Sequence, residues 1–238
     1  MKIDKLFNVS QAEKQGTQWI SISDMMSGLM IIFLFLAVAY MKDIEQEKYK
    51  VEQVAILWDI TQESLYNDLN REFKNDLQKW QAEIDKKLLS VRFKEPSVFF
   101  LSGSSEISPG FKKILDDFFP RYLNVLRSYR NNVTEVRIEG HTSSEWEGAS
   151  EPLEAYFKNM ELSQDRTRSV LQYCLSIKST QDDFEWAKKN LTANGLSSSK
   201  PIMKINGDEN PALSRRVEFR VCTDAESRII SILQGIKQ

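Results

Sequence analysis

An aspartate lies inside a stretch of apolar residues near the start of the chain. Trp19 to Met41 reads WISISDMMSGLMIIFLFLAVAYM, and Asp24 is its one charged residue. At about 1.5 Å per residue, a helix of this length can cross a hydrocarbon core of about 30 Å. A carboxylate in such a helix costs about 2.5–3.5 kcal/mol on insertion scales, so it indicates a function rather than a passive anchor.

Small and hydroxyl-bearing residues share the helix face of Asp24. Ser21, Ser27 and Gly28 lie three or four positions away from it, which places them on one side of a helix. Small residues let another membrane helix approach closely, and the hydroxyls can hydrogen-bond to the carboxyl group. The pattern predicts that Asp24 translocates an ion and that this face supports it. The alternative is that Asp24 pairs with a basic or hydroxyl group of a partner helix.

The apolar stretch has two other interpretations. A core helix does not fit, because Leu29 to Ala39 is apolar on every face. A cleaved signal peptide has support from the small-x-small form of Ala37-Val38-Ala39. Against it, the tail of residues 1–18 has balanced charge and Asp24 interrupts the span, so we predict a retained membrane anchor at residues 19–41. Lysines lie on both sides of it, so the Lys/Arg count does not decide the orientation.

The sequence pattern of residues 42–95 predicts a helical linker. Lys, Glu, Gln and Asp are abundant there, and Pro and Gly are absent. Apolar residues recur every three or four positions, as in an amphipathic helix. Such a helix either lies on its own domain or forms a two-stranded coiled coil, and Pro96 ends it. The apolar positions are Leu69, Phe73, Leu77, Trp80, Ile84 and Leu88.

Strand and helix patterns alternate over residues 96–225, and a short tail, 226–238, follows. Their order predicts an α+β domain whose helices pack on one face of a small mixed sheet. The predicted elements are a strand at 97–101, a helix at 109–130, a strand at 133–139, a helix at 162–177, a short helix at 183–190 and a strand at 216–221.

Composition argues against several classes of protein. The net charge is −2 and 28% of residues are charged, which gives no electrostatic footprint for nucleic acid. One histidine, His141, and two cysteines are too few for a structural zinc site. The chain lacks a Gly-rich phosphate loop and a G-x-S-x-G elbow. We therefore expect neither an enzyme nor a bound cofactor or metal.

Three blocks of the C-terminal domain resemble the OmpA-like peptidoglycan-binding family. Ile138–Thr142 reads IEGHT, Asn159–Arg166 reads NMELSQDR, and Ser214–Glu218 reads SRRVE. They stand in the order of that family, and the resemblance covers roughly residues 97–223. It implies a peptidoglycan-binding site formed by Thr142, Ser143, Asn159, Leu162 and Arg166.

Two positions depart from the family pattern. Ser143 stands where the family usually has an Asp that binds the wall peptide, and Ser214 stands where it has an Asn. Either Ser143 weakens wall binding, or Glu145 or Asp165 supplies the missing charge. Arg166 keeps the family's guanidinium, which can pair with a peptide carboxylate.

The order of tail, helix with Asp24 and OmpA-like domain is similar to that of MotB-type stator subunits. The span Ile22–Met30 resembles most closely the ZorB family of the Zorya anti-phage system. This resemblance implies two copies of the chain, a homodimer, inside a ring of five MotA-like ZorA subunits. It also implies an inner-membrane protein with a cytoplasmic N-terminus and a periplasmic domain on peptidoglycan. We favour the proton as the ion, because a carboxyl group alone can carry one, whereas sodium needs several converging oxygens. The alternatives are a flagellar stator subunit, or a passive tether between bilayer and wall.

Cys174 and Cys222 are an even pair, and in an oxidising periplasm such a pair is a disulfide candidate. A bridge would close a loop of about 48 residues and contribute roughly 4 kcal/mol in the chain-entropy model. We expect this bridge; the alternative is two ordinary buried thiols.

Overall fold

The structure is a computed structural model that describes residues 3–94, 99–100 and 103–224. Two compact units follow one another along the chain; the first ends at Val54 and the second begins at Ala55. The predicted C-terminal tail and most of the predicted strand at 97–101 lie outside the described residues.

Helix α1 runs over Ile3–Phe73 and includes the apolar stretch. Its part Ile22–Gln53 contains an 18-residue stretch with a mean hydropathy of 2.1 and is long and apolar enough to cross a membrane. The large apolar side chains described there are exposed; Phe35, for example, is 70% exposed. Since apolar surface left in water costs about 25 cal/mol per Å², these side chains suit a lipid environment.

The C-terminal end of α1 belongs to the second unit. Leu65, Leu69 and Phe73 are fully buried in its core. Arg121 fixes this end by binding the Glu72 carboxylate (2.7 Å) and lying 5.1 Å from the centre of the Phe73 ring. The last turns of α1 therefore form part of the folded domain.

The amphipathic pattern predicted helix through Leu88, and this prediction is wrong beyond Phe73. Strand β1, Ala82–Asp85, and strand β2, Ser90–Lys94, form an antiparallel hairpin there. The Asp85 carboxylate accepts a hydrogen bond from the backbone N–H of Leu88 (3.0 Å), which stabilises the turn. Pairing between strands replaces the backbone hydrogen bonds of a continued helix.

The remaining elements follow the predicted alternation. Pro109 and Pro152 occupy the first positions of two helices, where a missing N–H costs nothing. The second of these helices begins ten residues before its predicted start, and strand β4 was not predicted. The bounds are α2 Pro109–Arg127, β3 Val133–His141, α3 Pro152–Ser176, a 3₁₀-helix Lys178–Asp183, α4 Phe184–Asn190, β4 Leu191–Gly195, α5 Pro211–Ser214 and β5 Arg216–Thr223.

The five strands form one mixed sheet in the order β1-β2-β5-β3-β4. Only the pair β3–β4 is parallel among the pairs of this sheet. Helices α2 and α3 cover one face, where the ring of Phe219 lies 5.1 Å from that of Phe118 and beside Ile138. The prediction of helices on one face of a small mixed sheet is confirmed.

The opposite face of the sheet is polar, although much of it is buried. Glu139 and Glu218 face each other across β3 and β5 and are 4% and 1% exposed. Three arginines lie among these carboxylates: Arg92 donates to Glu218 (2.9 Å), Arg216 donates to the same carboxylate, and Arg220 lies 3.6 Å from Glu139. The repulsion between the two carboxylates is therefore offset by neighbouring guanidinium groups.

Two glycines allow α3 to pack closely on the sheet. Gly140 and Gly195 are register partners in β3 and β4. A Cβ at Gly140 would lie 2.6 Å from the Thr167 methyl, and a Cβ at Gly195 would overlap the backbone of Gln164. Any larger residue at these positions would push α3 away from the sheet.

We expect Gly195→Ala to lower the free energy of unfolding by about 1–3 kcal/mol, because the added methyl meets backbone that cannot rotate away. Urea denaturation of the full-length chain measures it. The control is Gly110→Ala in α2, whose Cβ would lie 3.7 Å from the Ser108 hydroxyl, an ordinary contact. Equal stability of the two variants would contradict the close packing of α3.

The predicted disulfide is not formed, and this expectation is corrected. Both Cys174 and Cys222 are free thiols. Cys174 is buried in the core on the helical face of the sheet. Cys222 alternates with Val221, which is buried in that core, so its side chain points to the opposite face. The sheet thus separates the two sulfurs.

Candidate functional site

Asp24 lies on the apolar part of α1, and its side chain is exposed. Ser27 and Gly28 follow it at the third and fourth positions and are also exposed, so the helix presents all three on one face. A Cβ at Gly28 would meet no atom within 4 Å. This face is open to a partner helix. The side chain of Ser21 lies outside the described residues.

A cleft in the second unit brings together all five residues predicted to bind peptidoglycan. Its volume is about 640 Å³, within the range of about 300–1,000 Å³ that small-ligand pockets have. The described residues that line it are Phe100, Gly103, Thr142, Ser143, Glu145, Trp146, Glu147, Asn159, Leu162, Arg166 and Arg215. The fold therefore places the predicted residues around one cleft, and their binding role stays a prediction.

Arg166 projects from α3 into this cleft. Its Nε donates a hydrogen bond to the backbone carbonyl of Ser104 (2.9 Å), and its guanidinium lies 4.8 Å from the centre of the Phe100 ring. Burial lowers the pKa of Arg166 to about 10, so the group still carries its charge at neutral pH. A carboxylate entering the cleft would stabilise that partly desolvated charge.

The end of β3 forms a second wall. Thr142 is 5% exposed, and its N–H donates to the carbonyl of Ser197 (3.0 Å). Its hydroxyl has no hydrogen-bond partner among the described residues. The neighbouring Ser143 is also buried, and its hydroxyl accepts a hydrogen bond from Arg215 (3.3 Å). The serine that replaces the family Asp thus touches a second cation of the cleft.

The loop between β3 and α3 closes the third side. Asn159 is 3% exposed, and its side-chain amide donates to the carbonyl of Glu145 (3.1 Å). The acid Glu209 accepts a hydrogen bond from the N–H of Ser144 (3.1 Å). Burial alone would raise the pKa of Glu209, but hydrogen bonds from Ser144 and Ser214 lower it. The carboxylate therefore stays charged and holds the loop in place.

Some residues considered from the sequence lie elsewhere. Asp165 pairs with Arg168 (3.0 Å) and does not line the cleft, so Glu145 is the one of the two acids considered from the sequence that lies there. Ser214 is fully buried, and its hydroxyl accepts a hydrogen bond from the N–H of Ile202. His141 lies on the polar face of the sheet, 3.7 Å from the Glu139 carboxylate.

Trp146, Glu147 and Arg215 are among the cleft residues that sequence reasoning missed. They lie on loops that only the fold brings to α3. Arg215 lies within the block Ser214–Glu218 that resembles the OmpA-like family, which is the one signal that could have found it. Among the described residues, no three His, Cys, Asp or Glu side chains cluster so as to hold a metal ion. The arrangement suits noncovalent binding of an anionic group.

The sequence is similar to those of known proteins. The sequence model of the OmpA family matches residues 99–215, which contain every described residue that lines the cleft. Over 234 residues the chain is 49% identical to the Zorya protein ZorB of Escherichia coli strain Crooks, and the alignment covers 98% of this chain and 100% of that protein. The chain belongs to the ZorB family.

Solved structures with a similar fold include MotB proteins and a wall anchor. A MotB-like protein from Desulfovibrio vulgaris is 24% identical, with a TM-score of 0.49, and the match covers 74% of the ZorB-family chain and 98% of that protein. The cell wall anchor of the type VI secretion system from Pseudomonas aeruginosa is 22% identical, with a TM-score of 0.45 and coverage of 65% and 96%. The periplasmic domain of Helicobacter pylori MotB is 17% identical, with a TM-score of 0.42 and coverage of 61% and 84%.

Proposed function

We propose that this ZorB-family chain is the wall-anchored subunit of an ion-driven motor in Zorya anti-phage defence. Asp24 carries the ion through the membrane, and the cleft around Arg166 binds peptidoglycan. The partners are MotA-like ZorA subunits, five around two copies of this chain. The chain crosses the bacterial inner membrane once, with its N-terminus in the cytoplasm and its domain in the periplasm.

The observation that carries the wall-binding part is the convergence of the predicted residues. Thr142, Ser143, Asn159, Leu162 and Arg166 come from two separate elements, yet they line one cleft. The cleft contains two guanidinium groups, those of Arg166 and Arg215, which can bind a carboxylate of a stem peptide. A wall peptide offers such carboxylates.

The observation that supports the motor part is the exposure of Asp24 on an apolar helix. A carboxylate placed in lipid must be neutralised by a proton, a cation or a partner group. The small residues at positions 27 and 28 leave room for a partner helix beside it. Because a carboxyl group alone can accept and release a proton, we propose the proton as the ion.

A purified sacculus pull-down tests the wall-binding part. We expect Arg166→Ala to weaken retention of the full-length, detergent-solubilised chain by about 30-fold or more, since truncating one partner of a buried charge pair costs about 2–5 kcal/mol. The matched control is Arg168→Ala two positions along α3, which removes an exposed guanidinium paired with Asp165. Equal retention of both variants and the parent chain would show that the cleft is not the wall-binding site.

The second candidate function is a passive tether between membrane and wall. The same cleft supports it, so the pull-down does not separate it from the motor. Asp24 favours the motor, because a tether gains nothing from the insertion cost of a carboxylate. Membership of the ZorB family favours defence over a flagellar role.

A further inference from the structure

The loop between β3 and α3 holds an aromatic ring at the cleft. Trp146 lines the cleft and is half-buried. Its carbonyl accepts a hydrogen bond from the N–H of Ala149 (3.2 Å), and Gly148 has a φ of +82°, which forms the turn that follows it. The side-chain amide of Asn159 in α3 donates a hydrogen bond to the carbonyl of Glu145, the residue before Trp146. The ring is therefore presented by an organised loop.

The two aromatic rings of the cleft differ in what covers them. Phe100 already lies under the Arg166 guanidinium, at 4.8 Å. Trp146 stacks on no aromatic ring or cation among the described residues. Its indole face is thus available to a ligand, whereas the Phe100 face serves to position a cation.

The chemistry around Trp146 differs from that around Arg166. Glu145 and Glu147 flank the tryptophan, line the same cleft and are exposed. Carboxylates accept hydrogen bonds from hydroxyl groups, and an aromatic face packs against apolar C–H groups. A sugar ring offers both, with an apolar C–H face and a rim of hydroxyl donors.

The buried wall adds an independent observation. Thr142 is 5% exposed, and its hydroxyl group has no hydrogen-bond partner among the described residues. A polar group buried in this way costs free energy unless a ligand or water satisfies it. At about 640 Å³ the cleft is also larger than one carboxylate-bearing side chain requires.

We infer that Trp146, with Glu145 and Glu147, forms a sugar-binding subsite beside the peptide carboxylate site. The inference rests on the proposed wall binding, because the sugar next to a stem peptide is the N-acetylated amino sugar of the glycan strand. Peptide carboxylates bind at Arg166, and the sugar ring stacks on the Trp146 indole. The chain thereby binds both the peptide and the sugar of the wall.

Two soluble probes test the subsite with the full-length chain in detergent. One is a disaccharide–tetrapeptide, and the other is the same tetrapeptide without its sugars. We expect the parent chain to bind the first about three- to tenfold more tightly, as an aromatic contact of this size provides. Trp146→Ala should abolish the preference without weakening the tetrapeptide, and Trp146→Phe should retain most of it. Phe157→Ala is the control, since Phe157 is 61% exposed on α3 and does not line the cleft.

Substitution of the two glutamates distinguishes a sugar ligand from an ammonium ligand. An amide oxygen still accepts a hydrogen bond from a hydroxyl, so Glu145→Gln with Glu147→Gln should keep the preference. Loss of tetrapeptide binding in that variant would instead indicate an ammonium group there and overturn the inference. Equal affinities of the parent chain for both probes would also overturn it, while leaving Arg166-dependent wall binding intact. Binding of neither probe would overturn the subsite and the proposed wall binding together.

Discussion

Replacement of Asp24 by Asn is expected to abolish ion flux and phage protection while the complex stays assembled. Asn has nearly the same shape and can still hydrogen-bond with Ser27 or a partner, so helix packing should survive. It cannot exchange a proton or balance a cation, so transport should stop. Co-purification of the partner subunits checks assembly, and flux into liposomes together with phage plating checks activity.

The matched control for this change is Asp43→Asn. Asp43 lies on the same helix, beyond the apolar stretch, and is exposed, so its loss should leave flux unchanged. Full activity of the assembled Asp24→Asn complex would reduce Asp24 to a structural residue and leave the tether as the function. Activity that survives without sodium and collapses with a protonophore identifies the proton as the ion.

Replacement of Glu218 by Gln is expected to lower the free energy of unfolding by about 3–5 kcal/mol, the usual cost of breaking a buried charge pair. The Glu218 carboxylate is 1% exposed and accepts hydrogen bonds from Arg92 (2.9 Å), Ser90 (2.7 Å) and Arg216. The variant leaves two guanidinium groups facing a neutral amide. Because Arg216 also donates to the Ser214 carbonyl (3.0 Å), the loop that carries Arg215 should loosen with it.

The same carboxylate should make the free energy of unfolding depend on pH in the acid range. Burial alone would raise the pKa of Glu218, but hydrogen bonds from Arg216 and Ser90 and the charge of Arg92 outweigh it and lower the pKa from 4.5 to about 2. A depressed pKa means that the stabilisation is complete above about pH 4.5 and is lost as the pH falls toward 2. The loss attributable to Glu218 is about 3 kcal/mol.

Urea denaturation between pH 6 and pH 2 measures both effects. The parent chain should lose stability steeply in the acid range, and Glu218→Gln should lose less because it has already lost this interaction. Glu161→Gln, an exposed carboxylate on α3, is the control and should behave like the parent. If Glu218→Gln does not fold, Ser90→Ala removes one hydrogen bond and should show a smaller change of the same sign. Parallel acid profiles of parent and variant would contradict the role of Glu218.

Several features of this protein follow from local sequence alone. The apolar stretch around Asp24 is recognisable from composition, because a membrane helix satisfies its own backbone hydrogen bonds and needs no distant partner. Helix α2 and strand β5 were predicted from the periods of their apolar residues, which depend on neighbours a few positions away. The cleft residues on α3 were named from the resemblance of one block to the OmpA-like family, and positions 159, 162 and 166 of that block fall near one helix face.

Other features were decided by tertiary structure. Ile84 fits a helical period, yet it pairs with Val91 in a hairpin. That hairpin joins the sheet through the pairing of β2 with the distant strand β5, which no local pattern specifies. The even pair Cys174 and Cys222 predicted a disulfide, yet the sheet separates the two side chains. The face of the sheet on which a strand residue lies depends on the register of that strand. Trp146 and Arg215 reach the cleft from loops whose positions no local pattern specifies. Local periodicity therefore determined most of the helices, and the family resemblance named most of the binding residues. Pairing with distant strands determined the position of the hairpin in the sheet, the polar face around Glu218 and the shape of the cleft.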